Sequence, residues 1–590
     1  MTSGITLKKG DLSQNFRDRL EDYYGSINID GLYTDHKWRQ WTEDKRIITY
    51  IAERDGNAVG WLVYNPQNST IEEILPKKSG AGQGMETIMI DTLIAGESLV
   101  AAEVLQADRV KVDTLITYGF RPTRSFSSDG FDLVKMDLST AEFLRKVRGW
   151  KPSKKYEKTE RVAVERVPPS RTPDEIKTSL LNLINDLGGL EAFVGKGETV
   201  VIKPNVVADH GFRDGVYHGG VVTDIALVRA LIEILLTVAK KVIVAEGSSI
   251  NRAETTKIFA HYGYDKLTDI DPGRVSLVDL NTDELVRKAV PGGKRMLSRE
   301  IPLTLEKADV IINLPVMKTH FAALVSLSIK NLQGAIPPIE KYMTHFFGLW
   351  QNLINIHHLV KPKLHIIDGL TAQEDFGPVY GTPKTMNLLV GGTNPVAVDT
   401  VTMKIMGLDP ARSSPVFLAY MQGLGPMEYE KITTVGTPVD EVISPFNEAV
   451  INMTSGENFK IHAGNACLGC KGYLHYVLNK LRRPDPENPG RLLIDRPFKK
   501  KVNIFLGPVT DAEPNPDETN IFLGICQQHH ADSGTHLPGC PPHAEVIMRG
   551  LFSLYPDIER PTYADENAEY KLEEMLKTII EEGPDKHLNH

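Results

Sequence analysis

The 590-residue chain carries 67 Lys and Arg against 76 Asp and Glu, a net charge of −9, which argues against broad nucleic-acid binding driven by overall charge. Apolar residues make up 41% and charged residues 24%, ordinary for a globular chain, and at roughly 150 residues per domain the length allows about three or four domains. The longest apolar candidate, IALVRALIEILLTVA, is broken by Arg229 and Glu233, and MTSGITLKKGDLSQNF holds no apolar signal core. The expectation is therefore a cytoplasmic protein without a membrane span.

In chain order, RIITYIAE and NAVGWLVYN read as two strands around the turn RDGN. METIMIDTLIAG reads as a helix after the glycine-rich KKSGAGQG, and GFDLVKMDL as a closing strand. The polar stretch RGWKPSKKYEKTERVAVERVPPSRTPDE reads as a linker or an exposed strand. Then the pattern alternates. ETVVIKPNVV, KKVIVAEGSS, ADVIINLPVMKTH, KLHIIDGLTA and MNLLVGGTNP are strands, and TDIALVRALIEILLTV is a capped amphipathic helix. VNIFLGPV and TNIFLGIC are later strands, followed by the helix PPHAEVIMRGLFSLY. The whole reads as an α/β multidomain chain. An α+β unit spans 1–145 and a linker 146–164. A central, mostly parallel α/β sheet domain spans 165–435, and a small α/β cysteine module 440–590.

Ligands of open parallel sheets bind beyond the carboxyl ends of strands. Those ends here supply Lys203 and Asn205, then Glu246, Ser248 and Ser249, then Lys318, Thr319 and His320, then Asp368 and Glu374, then Asn394 and Asp399. The intervening SIKNLQGAIPPIEKYMTHFF adds Lys330, Asn331 and His345. One polar residue after a strand is ordinary turn chemistry. Asn394-Pro395 reads equally as a helix cap, and Asp399 as a structural carboxylate. Together the lysines and histidines point to an anionic small molecule, a phosphate or carboxylate. Lys203, Asn205, Lys330, Asn331 and His345 are candidates for binding it. Lys318, His320, Asp368 and Asp399 are the catalytic candidates, the carboxylates as acid/base or metal-holding groups. No Walker A or Rossmann glycine motif follows a strand.

Two resemblances join these readings. Over residues 40–140, VGWLVYN, the glycine-rich turn and YGFRPTRSF…VKMDL resemble the GNAT acyltransferase superfamily. The resemblance implies an acyl-CoA pyrophosphate at Gly80, Gly82 and Gly84, where glycines let backbone N–H groups approach. Lys77 stands where the family turn has Arg or Gln, and Leu115 where it often has a tyrosine general acid. Over residues 165–430, VVIKPNVV, VIVAEGSS, ADVIINLPVMKTH, SLSIKNLQGAIPP, IIDGL, GPVYGTPK and LVGGTNPVAVDTVTMKIMGLDP resemble the domain-of-unknown-function 362 family. That resemblance implies an association with iron–sulfur clusters, although the ferredoxin cysteine spacing of many members is missing.

All four cysteines lie in the last third of the chain, Cys467 and Cys470 in CLGC, with Cys526 and Cys540 apart. Four thiolates suit a 4Fe-4S cluster or zinc, and only one Cys-x-x-Cys pair is present where a zinc ribbon has two. Cys540 precedes two prolines that can open a helix, whose N-terminus favours a thiolate. GCPPHAEVI is also similar to a cluster-ligand stretch of hydrogenase small subunits and their NADH dehydrogenase relative. His529, His530, His536 and His543 stand nearby, as extra ligands, proton carriers or plain loop residues. The basic LNKLRRPDPENPGRLLIDRPFKKK offers a dock for an acidic ferredoxin or flavodoxin, or is a solvated loop. Three functions follow: an iron–sulfur redox protein acting on an anion, an acyl-CoA-dependent acyltransferase, and a non-enzymatic cluster carrier or maturation factor.

Overall fold

A computed structural model of the chain describes residues 5–29, 31–67, 70–78, 85–96, 101–118, 120–138, 156–249, 254–291, 298–464, 466–507, 510 and 512–561. Three main sheets organise them. The first runs, edge to edge, Ile5–Gly10, Ile48–Arg54, Asn57–Asn65, Thr70–Pro76, Ala101–Leu105, Phe131–Leu138 and Phe120–Ser128. The turn RDGN closes its hairpin with Asp55 at φ 51° and Gly56 at φ 79°. Two successive left-handed residues are what a type I′ turn needs. The helix after the glycine-rich KKSGAGQG spans Met85–Gly96. Gly80, Gly82 and Gly84 lie outside the described residues.

The second sheet has ten strands. Its path is Val275–Asp279, Lys241–Glu246, Thr199–Pro204, Val310–Leu314, Leu364–Glu374, Thr382–Gly392, Glu160–Arg166 and Ile432–Gly436. The first five are mutually parallel. The next two pairings are antiparallel, and the last is parallel. Val310–Leu314 is buried at every position, as strands covered on both faces are. Residues 160–164, assigned above to the linker or an exposed strand, belong instead to Glu160–Arg166, which is flanked on both sides and buried at Val162, Ala163 and Val164. Its Lys/Arg-rich surroundings hid the short VAV core.

Strand order fixes the site. After Thr199–Pro204 the chain adds Lys241–Glu246 and Val275–Asp279 on one side, then returns Val310–Leu314 to the other. Connections that leave in opposite directions open a crevice beyond the carboxyl ends of the strands between them.

The third sheet is parallel throughout: Phe459–His462, Val502–Leu506, Thr519–Leu523 and Thr535–Leu537. Helices Leu468–Leu481 and Ala544–Phe552 pack together beside it. At Gly472 a Cβ would fall 2.4 Å from the Phe321 carbonyl oxygen. Only glycine lets the first of these helices approach the second sheet so closely. No helix among the described residues is long and apolar enough to cross a membrane.

Candidate functional site

A cavity of about 210 Å³ opens at the switch point of the second sheet and is lined on one side by the cysteine module. The second sheet and its connections supply Lys203, Asn205, Glu246, Ser248, Ser249, Lys318, His320, Lys330, Asn331, Lys341 and His345. The cysteine module supplies Tyr473, Tyr476 and His543.

Four lysines face a single glutamate in this lining. Lys203 and Glu246 form a fully buried ion pair at 2.7 Å. Glu246 also accepts from the Val206 and Gly247 N–H groups. Gly334 lies against this pair, where a Cβ would fall 1.9 Å from Glu246 Oε1. Lys318 donates to Asn205 Oδ1 at 2.6 Å and to the Val221 and Pro378 carbonyls. Lys341 donates to Asn281 Oδ1 at 2.6 Å and to the Gly247 and Ser248 carbonyls. Lys330 differs: it is half-buried in the lining, and its ammonium has no hydrogen-bond or ion-pair partner among the described residues. Desolvation lowers all four lysines, Lys318 and Lys341 to about 7 and Lys330 to about 8. A buried ammonium loses hydration that its neighbours replace only in part.

The histidines are neutral, because burial pushes them well down. Their hydrogen bonds assign the tautomers. His320 Nδ1 accepts from the Ala322 and Ala323 N–H groups, so its proton sits on Nε2. His345 Nδ1 is 3.0 Å from the Pro541 carbonyl and must donate, which leaves its Nε2 as an acceptor. His543 Nδ1 accepts from Glu545 N–H and caps the helix Ala544–Phe552. His345 and His543 meet edge to face at 4.9 Å.

The four cysteines are buried and none is in a disulfide. They come from three loops at the carboxyl ends of parallel strands. Cys467 is the N-cap of Leu468–Leu481, and Cys470 sits in its first turn. Cys526, expected to end the strand TNIFLGIC, lies instead in the short 3-10 helix Ile525–Ser533, three residues beyond the strand's end at Leu523. Cys540 follows Thr535–Leu537. The helix after it starts only at Ala544, so Cys467, and not Cys540, stands at a helix start. The two prolines at 541 and 542 precede the cap. A thiol hydrogen bond with Cys467, burial, and the fields of Cys467, Cys526 and Cys540 push the Cys470 thiol well up. The other three cysteines thus lie near enough to oppose ionisation of Cys470, an effect that a bound cation would reverse. Among the described residues, no group of three or more His, Cys, Asp or Glu side chains is arranged to hold a metal ion. The cysteine loop and the cavity share a backbone seam: Cys540 N–H donates to the His345 carbonyl at 2.7 Å, and Leu349 N–H to the Cys540 carbonyl at 2.9 Å.

Lys203, Asn205, Lys318, His320, Lys330, Asn331 and His345 all line the cavity, as do Glu246, Ser248 and Ser249. Asp368 and Asp399 do not. Asp368 accepts from the Asp224 and Leu370 N–H groups, holding the residue that caps Ile225–Leu235. Asp399 accepts from the Ser328 and Ile329 N–H groups at 2.8 and 3.0 Å, and so anchors the turn that carries Lys330. Glu374 is taken by Lys384 and Asn447, Thr319 by the Asp375 carbonyl, and Asn394 is a helix cap. His530 stacks on Phe522, and His536 reaches the Gly524 carbonyl; the His529 side chain lies outside the described part. In the basic stretch, Arg491 and Arg496 are held by Asp485 and Asp557, whereas Arg483, Lys499, Lys500 and Lys501 are exposed. Sequence reasoning missed Lys341, Phe321, Tyr473 and Tyr476. Lys341 and His345 are four apart on Pro338–Phe347, and Tyr473 and Tyr476 three apart on the Cys470 helix, spacings that put each pair on one helix face.

Among known families, the model described as domain of unknown function (DUF362) matches residues 200–404. That span contains the switch point and all four cavity lysines and ends before the cysteines. A thylakoid-associated protein of Synechocystis sp. is 27% identical over 273 residues, 45% of this chain and 80% of its own length. Similar solved structures include a chimeric spermidine N-acetyltransferase from Vibrio cholerae and a GNAT family acetyltransferase from Elizabethkingia anophelis with acetyl-CoA bound. Each is 14% identical, with a TM-score of 0.18 and 23% of this chain covered. They are themselves covered over 94% and 97% of their lengths.

Proposed function

We propose that this chain is an iron–sulfur protein that carries out reductive chemistry on a small anion bound in the cavity. Cys467, Cys470, Cys526 and Cys540 would hold a 4Fe-4S cluster. The observation that carries the reading is the shared seam. Four buried thiols, none in a disulfide, lie on strand-end loops, and the Cys540 backbone is bonded to His345, a residue of the anion cavity. The donor set is all sulfur and comes from three separate loops, as suits a cluster better than a zinc ribbon's paired knuckles. When bound, such a cluster supplies electrons one at a time.

The chain's own residues supply charge, position and protons. Lys330 meets the anion, and Lys318 and Lys341 add field from fixed positions. Reduction consumes protons, which the Lys318, Lys330 and Lys341 ammoniums, lowered to about 7–8, can supply. Neutral His320 offers its Nε2–H to the anion as a hydrogen-bond donor. The exposed Arg483, Lys499, Lys500 and Lys501 suit a small acidic electron-donor protein, whose encounter they would steer.

Protein purified without oxygen should contain iron and acid-labile sulfide near four of each per chain and absorb near ~400 nm. Cys526→Ser and Cys540→Ser should lose both. Zinc at one per chain with no sulfide would reject the reading.

A further inference from the structure

The cavity has two unlike walls. One carries the four lysines. The other is aromatic: Phe321 stacks on Tyr476 with ring centroids 5.9 Å apart at 13°, and meets Tyr473 edge-on at 5.1 Å. His320 extends this wall, stacked on Phe321 at 4.8 Å.

The uncommitted groups include donors and acceptors, Asn331 Oδ1 and Gln333 Oε1 being buried acceptors without a partner among the described residues. Among the described residues, neither Lys330 Nζ nor Tyr473 Oη has a hydrogen-bond partner, and His320 uses only its Nδ1. The one carboxylate in the lining is consumed by Lys203 and two backbone N–H groups. His345 Nε2 is the remaining ring acceptor. A ligand that answers several donors at one end is an anion, and one that lies against stacked rings is flat and apolar at the other.

Size narrows this further. An apolar cavity of roughly 150 Å³ holds benzene, whereas drug-sized ligands need roughly 300–1,000 Å³. About 210 Å³ takes one ring with a small acidic group. A nucleotide or an acyl-CoA would have to extend out of it.

We infer that the cavity binds a single-ring aromatic carboxylate, its acid group on Lys330 and its ring against Phe321, Tyr473 and Tyr476. The inference rests on the reading of this cavity as the anion site. It is independent of what the cysteines hold.

Calorimetric titration of the full chain with benzoate, cyclohexanecarboxylate, acetate and inorganic phosphate tests it. Benzoate should bind at least ~3-fold more tightly than cyclohexanecarboxylate, from ring stacking, and at least ~10-fold more tightly than acetate, from the buried apolar area. Lys330→Met should weaken benzoate at least ~10-fold, and Lys330→Arg should recover part of it. Tyr476→Leu should remove the preference for benzoate over cyclohexanecarboxylate while acetate binding stays as it was. Circular dichroism and thermal melts of each variant separate lost binding from lost folding. Acetate or phosphate binding as tightly as benzoate, or a preference untouched by Tyr476→Leu, would overturn the ligand class and leave the anion site standing. No heat with any anion would overturn the class and the anion site together, whatever the iron content.

Discussion

Two regions of this molecule bury lysines, and they do so in opposite ways. In the first unit, Lys37 faces Glu72 at 3.3 Å, and Lys111 lies between Glu73 and Asp108, with Tyr24 donating to Glu73 and Tyr23 to Asp108. Every ammonium there has a carboxylate within the same packed core. In the cavity, four lysines share one glutamate, and Lys330 has no partner among the described residues. Burying a charge is costly unless it is paired. The paired network is what a fold retains for its own sake. The surplus of positive charge is a cost that makes sense only when something else brings the negative charge.

The largest effect should separate these regions directly. Lys111→Met strands two buried carboxylates and should cost about 3–5 kcal/mol in chemical denaturation. Lys330→Met removes an ammonium that no carboxylate meets, so stability should change by less than ~1 kcal/mol, or rise, while anion binding collapses. Equal losses of stability would erase the contrast.

A middle-sized effect concerns the turn that presents Lys330. Asp399→Ala leaves the Ser328 and Ile329 N–H groups without their acceptor and should cost ~1–3 kcal/mol. Asp399→Asn keeps one acceptor oxygen and should cost less. Burial raises the Asp399 carboxyl to about 7. The folded state therefore holds that proton more tightly than the unfolded chain, and the stability it contributes is lost as pH rises through about 7. Denaturation curves from pH 5 to 8 should flatten in Asp399→Asn.

The smallest effect is a pH profile of binding. Lys318 and Lys341 at about 7 and Lys330 at about 8 are charged below those values and neutral above them. Anion affinity should be greatest near pH 6 and fall through pH 7–8.5, with proton uptake on binding measurable as a buffer-dependent heat. The linked stability runs the other way. These lysines have folded values below the unfolded ~10.4, so the unfolded chain binds more protons between about 7 and 10, and stability rises with pH there. A binding profile flat from pH 6 to 9 would mean that the lysines do not carry the anion.

Much of this contrast was legible in the sequence, and the limits are physical. The rule that ligands sit at strand carboxyl ends picked out Lys203, Asn205, Lys318 and His320, because parallel strands are short apolar runs with visible ends, and the intervening SIKNLQGAIPPIEKYMTHFF added Lys330, Asn331 and His345. The rule could not tell Asp368 and Asp399 from cavity residues. A carboxylate that accepts two backbone N–H groups from another segment looks the same in one dimension as one that faces a ligand. Lys341, one turn before His345 in that same segment, was passed over because a lysine on an amphipathic helix reads in one dimension as a solvated residue. The aromatic wall was invisible because Tyr473 and Tyr476 sit on a helix beside another sheet, and only the docking at Gly472 brings them to Phe321. The mixed part of the second sheet escaped for a similar reason. KLHIIDGLTA and MNLLVGGTNP have the apolar runs of parallel strands, but they pair antiparallel.

The most direct test joins the two halves of the site. The reduced, oxygen-free protein should give the EPR signal of an iron–sulfur cluster. That signal should change in g values or line shape when benzoate fills the cavity, because the Cys540 loop is bonded to His345, and it should stay unchanged in Lys330→Met. Absence of a cluster signal, or a signal that benzoate leaves identical while calorimetry shows it bound, would contradict the account.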